Sequence, residues 1–147
     1  MQKLFVCLLC AAVAASLAGC GKGPKNGAKE GPNVTVQIPG TTATVGPRLP
    51  DNLPAYVEIY PGAEVVAVVS GMNDNKVSGM ISLKTNAKIQ DVVAFYRQAD
   101  SKNGLTVKGE FATGNVETLS AESGEKLLGV VVTSGDGGET EIQLTYK

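Results

Sequence analysis

Histidine is absent from the 147 residues, and so is tryptophan. Without histidine the chain lacks the side chain most often used for acid–base chemistry near neutral pH, and the commonest metal ligand. With aromatics at 5% and a formal net charge of −1 there is no basic patch interleaved with aromatic rings, so nucleic acid is not an expected partner. Cysteine occurs three times, at Cys7, Cys10 and Cys20, all within the first twenty residues. The remainder therefore has no thiol for a disulfide, a nucleophile or a zinc site. No Walker A loop, dinucleotide fingerprint or G-x-S-x-G elbow is present. The amino-terminal apolar run, Leu4 to Ala18, is broken only by Ser16; at roughly 15 residues it falls short of the ~20 that a spanning helix needs.

That run follows a short positive segment, Met1-Gln2-Lys3, and ends in small residues, the layout of a signal peptide. Leu17-Ala18-Gly19-Cys20 resembles the lipobox of bacterial lipoproteins. The resemblance implies recognition of Leu17, Ala18 and Gly19 by signal peptidase II, cleavage before Cys20, and lipidation of Cys20. Cys7 and Cys10 would leave with the signal peptide, and Cys20 would become a thioether. One acyl chain anchors marginally, whereas two or more hold stably at about 0.8 kcal/mol per buried CH₂. Gly21 stands where Asp favours inner-membrane retention in enteric bacteria, so the expected location is the outer membrane, facing the periplasm.

Three segments follow: a signal peptide over 1–19, a lipidated Cys with a flexible Gly/Pro-rich tether over 20–53, and a small domain over 54–147. Gly21, Gly23, Gly27 and Gly31 loosen the tether, and Pro24, Pro32, Pro39, Pro47 and Pro50 interrupt regular structure. Within it Val34, Val36 and Ile38 alternate with polar residues, a strand pattern that would add an edge strand to the domain. The tether is basic. From residue 54 onward twelve acidic side chains face eight basic ones, so a mildly acidic domain follows.

Within the domain, Pro61-Gly62 fits the centre of a type II turn. Glu64 to Ser70 and Val77 to Leu83 read as a hairpin, with Val77, Gly79, Ile81 and Leu83 on one face. Ile89, Val92, Val93, Tyr96 and Ala99 form one apolar stripe at helical spacing, which predicts a helix over 87–103. Thr85 or Asn86 would cap its start, and Gly104 its end. Four further strands are expected over 105–111, 116–121, 127–133 and 141–146, with hairpin tips at Ser123-Gly124-Glu125 and Asp136-Gly137-Gly138. The expected fold is α+β, order ββαββββ: an antiparallel sheet covered on one face by a single amphipathic helix. Tyr60-Pro61-Gly62-Ala63 followed by Val92-Val93-Ala94-Phe95-Tyr96 and Gly104 resembles a domain of small bacterial envelope proteins of the Y-P-G-A / V-x-x-F-Y type. That resemblance implies the same element order and no particular activity.

Candidate chemistry is thin. Ser123-Gly124-Glu125-Lys126 matches S-x-x-K, but on an expected β-turn and without the companion elements that chemistry needs. Asn73-Asp74-Asn75 and Asp136 with Glu139 fall short of a calcium loop and suit turns. Glu139 and Glu141 alternate on one strand face about 7 Å apart, a spacing within the glycosidase range but also that of any solvated strand. No catalytic residue, metal site or cofactor is therefore expected. The reading is a non-enzymatic, membrane-anchored envelope lipoprotein whose domain engages an envelope protein; the alternative is a carrier of a small hydrophobic ligand or lipid.

Overall fold

Strand formation here follows from β-branched and alternating sequence, and the one helix from its 3.6-residue apolar period. A computed structural model describes residues 31–147 apart from 39, 40 and 74. Its elements are β1 (Val34–Ile38), β2 (Thr41–Gly46), β3 (Glu64–Asn73), β4 (Lys76–Thr85), α1 (Ile89–Lys102), β5 (Thr106–Thr113), β6 (Val116–Ser123), β7 (Lys126–Ser134) and β8 (Thr140–Tyr146). All eight strands join one antiparallel sheet in the order β1-β2-β3-β4-β8-β7-β6-β5. Among the described residues the fold is thus α+β with a single α-helix over one face, as expected.

The element order requires a correction: it is ββββαββββ, not ββαββββ. The two additional strands, β1 and β2, lie in the stretch expected to be tether, and β2 docks onto β3 with Val45 opposite Val69. Glycine and proline around this hairpin mask its pattern; the alternation of Val34 and Val36 was the surviving signal. Leu17, Ala18, Gly19 and Cys20, with the whole of the expected signal peptide, lie outside the described residues.

One face of the sheet carries the core. Ile81 and Leu83 on β4, Ile142, Leu144 and Tyr146 on β8, Leu128, Val130 and Val132 on β7, and Leu119 and Ala121 on β6 all point to it and are buried. Against them α1 lays Val92, Val93, Tyr96 and Ala99, four of the five stripe residues; Ile89 is half-buried. The helix packs over β5, β6 and β7. Gly104, at φ +74°, turns the chain out of it. The start differs from expectation: Thr85 Oγ1 accepts the Ala87 N–H at 3.3 Å, a turn ahead of the helix, and Lys88 stands at the N-cap without a side-chain bond.

The rest of that face is covered by an irregular strap, residues 50–63. Tyr56 and Val57 are buried in the core, with Leu53, Ile59, Tyr60 and Ala63 packed beside them. The strap ends in the expected turn at Pro61-Gly62, where Gly62 has φ +76° and Ala63 N donates to Tyr60 O at 3.1 Å. Three bonds tie strap, helix and sheet to one another. Tyr56 Oη donates to Lys147 O at 2.6 Å, Asn103 Nδ2 to Glu58 Oε1 at 2.7 Å, and Thr140 Oγ1 to Ala87 O at 2.6 Å.

Candidate ligand cleft

The strap crosses the sheet close to where β4 begins and where β6 turns into β7. A cleft of about 590 Å³ opens there, under Tyr56 and between Val77 and Leu127. Lys76, Lys126 and Lys147 line it together with Glu122 and Glu125. Leu127 and Lys147 exchange both backbone bonds, at 2.9 and 3.1 Å, which extends the β7–β8 pairing past Tyr146 and fixes the carboxyl-terminal side of the cleft. The Lys126 ammonium lies 5.7 Å from the centre of the Tyr56 ring, a cation–π distance. Lys76 bonds Glu125 at 3.0 Å, and that contact holds the Glu125 carboxyl below its usual range. Pro54, Tyr56, Val77 and Leu127 supply its apolar lining, and five charged side chains stand among them.

Beside the cleft, Gly79 and Tyr146 pack closely. Tyr146 lies directly across from Gly79. A Cβ on Gly79 would come within 2.6 Å of Tyr146 Oη and 2.5 Å of Val69 O, so only glycine fits. Burial raises the pKa of both Tyr146 and Tyr56.

A second depression, about 510 Å³, lies on the same side of the sheet beyond β3. Its walls are Thr35, Thr42, Thr44 and Ser70, with Arg48 at the rim. Asn33 and Arg48 close one end through a reciprocal pair: Asn33 Nδ2 donates to Arg48 O at 3.3 Å and Arg48 N to Asn33 Oδ1 at 3.2 Å. This surface is neutral and hydroxyl-rich.

The sequence candidates separate plainly. Ser123-Gly124-Glu125-Lys126 forms the β6–β7 hairpin tip, with Gly124 at φ +60° and Lys126 on the Tyr56 ring, so the serine has no activating lysine. Glu139 and Glu141 are both exposed and share Lys84, at 3.5 and 3.3 Å. Bonding to Glu141 first, then the charge of Glu139, raises the pKa of Lys84. Among the described residues no cluster of three or more acidic side chains could hold a metal ion. Residue 74 is outside the described residues.

Tyr56 and Asp100 carry no motif and were not foreseen. Asp100 follows the helical stripe four residues after Tyr96, and its spacing alone would have placed it inward. It is fully buried with neither carboxyl oxygen hydrogen-bonded, and burial pushes its pKa from 3.8 to about 6. The Tyr96 hydroxyl is likewise buried without a well-formed hydrogen bond, and its pKa is raised, mainly by burial.

The chain belongs to a START domain-like family, whose model matches residues 65–142, from β3 to β8 and slightly more than half of the chain. The matched segment contains the cleft's β4 and β7 walls but not the strap or the β1–β2 hairpin. No curated protein and no solved structure matches the chain. Among the described residues no helix is long and apolar enough to cross a membrane.

Proposed function

We propose that this chain is a non-catalytic ligand-binding lipoprotein of the cell envelope, taking a small hydrophobic or amphiphilic molecule into the cleft beneath Tyr56. The observation that carries the reading is that cleft, about 590 Å³ between Tyr56, Val77 and Leu127, in a START domain-like chain. Domains of that kind are generally binding domains rather than enzymes. The family therefore favours a ligand carrier over a module for engaging an envelope protein. The apolar walls would take the hydrophobic part of the ligand and the lysines at the mouth its polar head. Tyr56, held by Lys147, would set how readily the strap admits it.

In this reading the precursor is cut before Cys20, after Leu17-Ala18-Gly19, and lipidated Cys20 tethers the domain at the outer membrane, facing the periplasm. The intact mass of membrane-extracted protein tests the anchor: residues 20–147 plus diacylglycerol and acyl chains, lost in Cys20→Ala. An unlipidated mass removes it.

Binding is tested with the fluorescent amphiphile anilinonaphthalene sulfonate. The wild type is expected to bind it saturably, Leu127→Glu to weaken it about tenfold or more, and Phe111→Ser, on the edge strand β5 and away from the cleft lining, to leave it unchanged. Equal binding by wild type and Leu127→Glu would overturn the assignment of the cleft.

A further inference from the structure

A sheet that does not close has two edges, and each presents unpaired backbone N–H and C=O groups. The two edges here are built differently. β5 carries Lys108 and Glu110, its register slips between Val107 and Gly109, and Glu110 is tied to Arg97 of the helix. Charge, a bulge and an ion pair to a neighbouring element are the devices by which an edge is kept from pairing. β1, Val-Thr-Val-Gln-Ile, has no charged residue or proline, and it pairs with β2 without interruption from Val34 to Ile38.

The face behind β1 is also bare. On the side away from the helix a single cross-strand row runs Val34, Val45, Val69, Met80. Their exposures are 61, 49, 47 and 40%, with Val36 beside the row at 56%. An apolar row of this kind, ending at an edge that none of the described residues covers, marks an interaction surface.

We propose that β1 pairs antiparallel with β1 of a second copy of this chain, about a twofold axis at Val36, joining two eight-stranded sheets into one. The side-chain pattern is what singles out a second copy. β1 is symmetric about Val36, so the pairing sets Val36 opposite Val36, Thr35 opposite Gln37, and Val34 opposite Ile38. Side chains on one face stay on that face, the apolar row continues across the axis, and no charge meets its like. A symmetric pairing of β5 would have to accommodate two copies each of Lys108 and Glu110.

A five-residue strand pair buries less surface than the ~1,600 Å² of a standard stable interface. The dimer is accordingly weak in dilute solution. Confinement of both copies to one membrane would raise their effective concentration; that enhancement rests on the lipoprotein reading, whereas the register does not.

The register makes the test specific. Directly opposed residues in an antiparallel pair have Cα atoms about 4.5–5.5 Å apart, within disulfide reach, and diagonal neighbours are about 7–8 Å apart. Full-length protein carrying Val36→Cys, in its own membranes, is expected to form a disulfide-linked dimer under mild oxidation. Thr35→Cys alone is expected to give at least about tenfold less, and Thr35→Cys co-expressed with Gln37→Cys to restore it. Thr44→Cys, on the interior strand β2, is expected to stay monomeric like the wild type. Monomeric Val36→Cys, equal cross-linking at positions 35 and 36, or an adduct of Val36→Cys with a different protein would each overturn the proposal. Loss of the Cys20 anchor would lower the yield without changing which positions cross-link.

Discussion

One row of paired residues crosses all eight strands on the helix side of the sheet, and its two halves differ. From β1 to β4 it reads Thr35, Thr44, Ser70, Gly79; from β8 to β5 it reads Tyr146, Leu128, Ala121, Val107. Backbone geometry and pairing are alike along the row. What changes is the cover: α1 and the strap lie over Tyr146, Leu128 and Ala121, which are buried, whereas Thr35 and Thr44 face an open depression; Ser70 is buried at the border between the two, and Val107 is exposed at the far edge. A sheet face becomes hydrophobic where something is packed on it, and hydroxyl side chains suffice where water remains. Thr35 and Thr44, hydrogen-bonded to each other at 3.2 Å, hold the open half by a cross-strand contact instead of by burial.

The largest effect should come from emptying the covered half. Leu144, on β8, is fully buried beside Ile81 and Val130. Leu144→Ala is expected to cost about 3 kcal/mol, from lost transfer energy plus the cavity left behind. Urea unfolding of the full chain measures it. A loss under about 1 kcal/mol would mean that the helix and sheet are not closely packed there, and the contrast between the two halves would fail.

The smaller test concerns the one charge under the cover. Asp100 is buried with a pKa of about 6 against 3.8 when exposed, so between those values the folded state holds more protons than the unfolded. Stability from this group is therefore highest below about pH 4 and falls as pH rises toward and through 6, remaining lower by at most about 3 kcal/mol beyond it. Asp100→Asn is expected to gain roughly 1–2 kcal/mol at pH 7 and to flatten stability between pH 4 and 6.5. Thermal unfolding across that range checks the sign. A destabilised Asp100→Asn at pH 7 would show that the carboxylate has a partner in the folded protein.

These two residues also show what was legible beforehand. The helix was readable because Val92, Val93, Tyr96 and Ala99 repeat at its own period, and β4 because Ile81 and Leu83 alternate with polar neighbours. Both patterns exist because one face is buried. Asp100 shares the helical period, and tertiary packing overrides the ordinary preference of a charge for the surface. The β1–β2 hairpin was obscured for the opposite reason. With no cover on either side of it among the described residues, Thr42 and Thr44 point one way and Ala43 and Val45 the other, a weak contrast set among glycines and prolines. Tyr56 was invisible because a strap has no period at all: its burial depends on Lys147, 91 residues away.

The least effect is expected on the open half. Thr44→Val keeps the shape and β-propensity of the side chain while removing its hydroxyl and the bond to Thr35. In a dry core such a change would strand a polar partner and cost about 1–3 kcal/mol. Here Thr35 is exposed and takes water in exchange, so the expected change is within about 0.5 kcal/mol of zero, in either direction. Parallel urea titrations of Thr44→Val and Leu144→Ala put the two halves on one scale. If Thr44→Val cost as much as a core truncation, the depression beside it would have to be closed in solution by something that excludes water, and the row would be covered along its whole length.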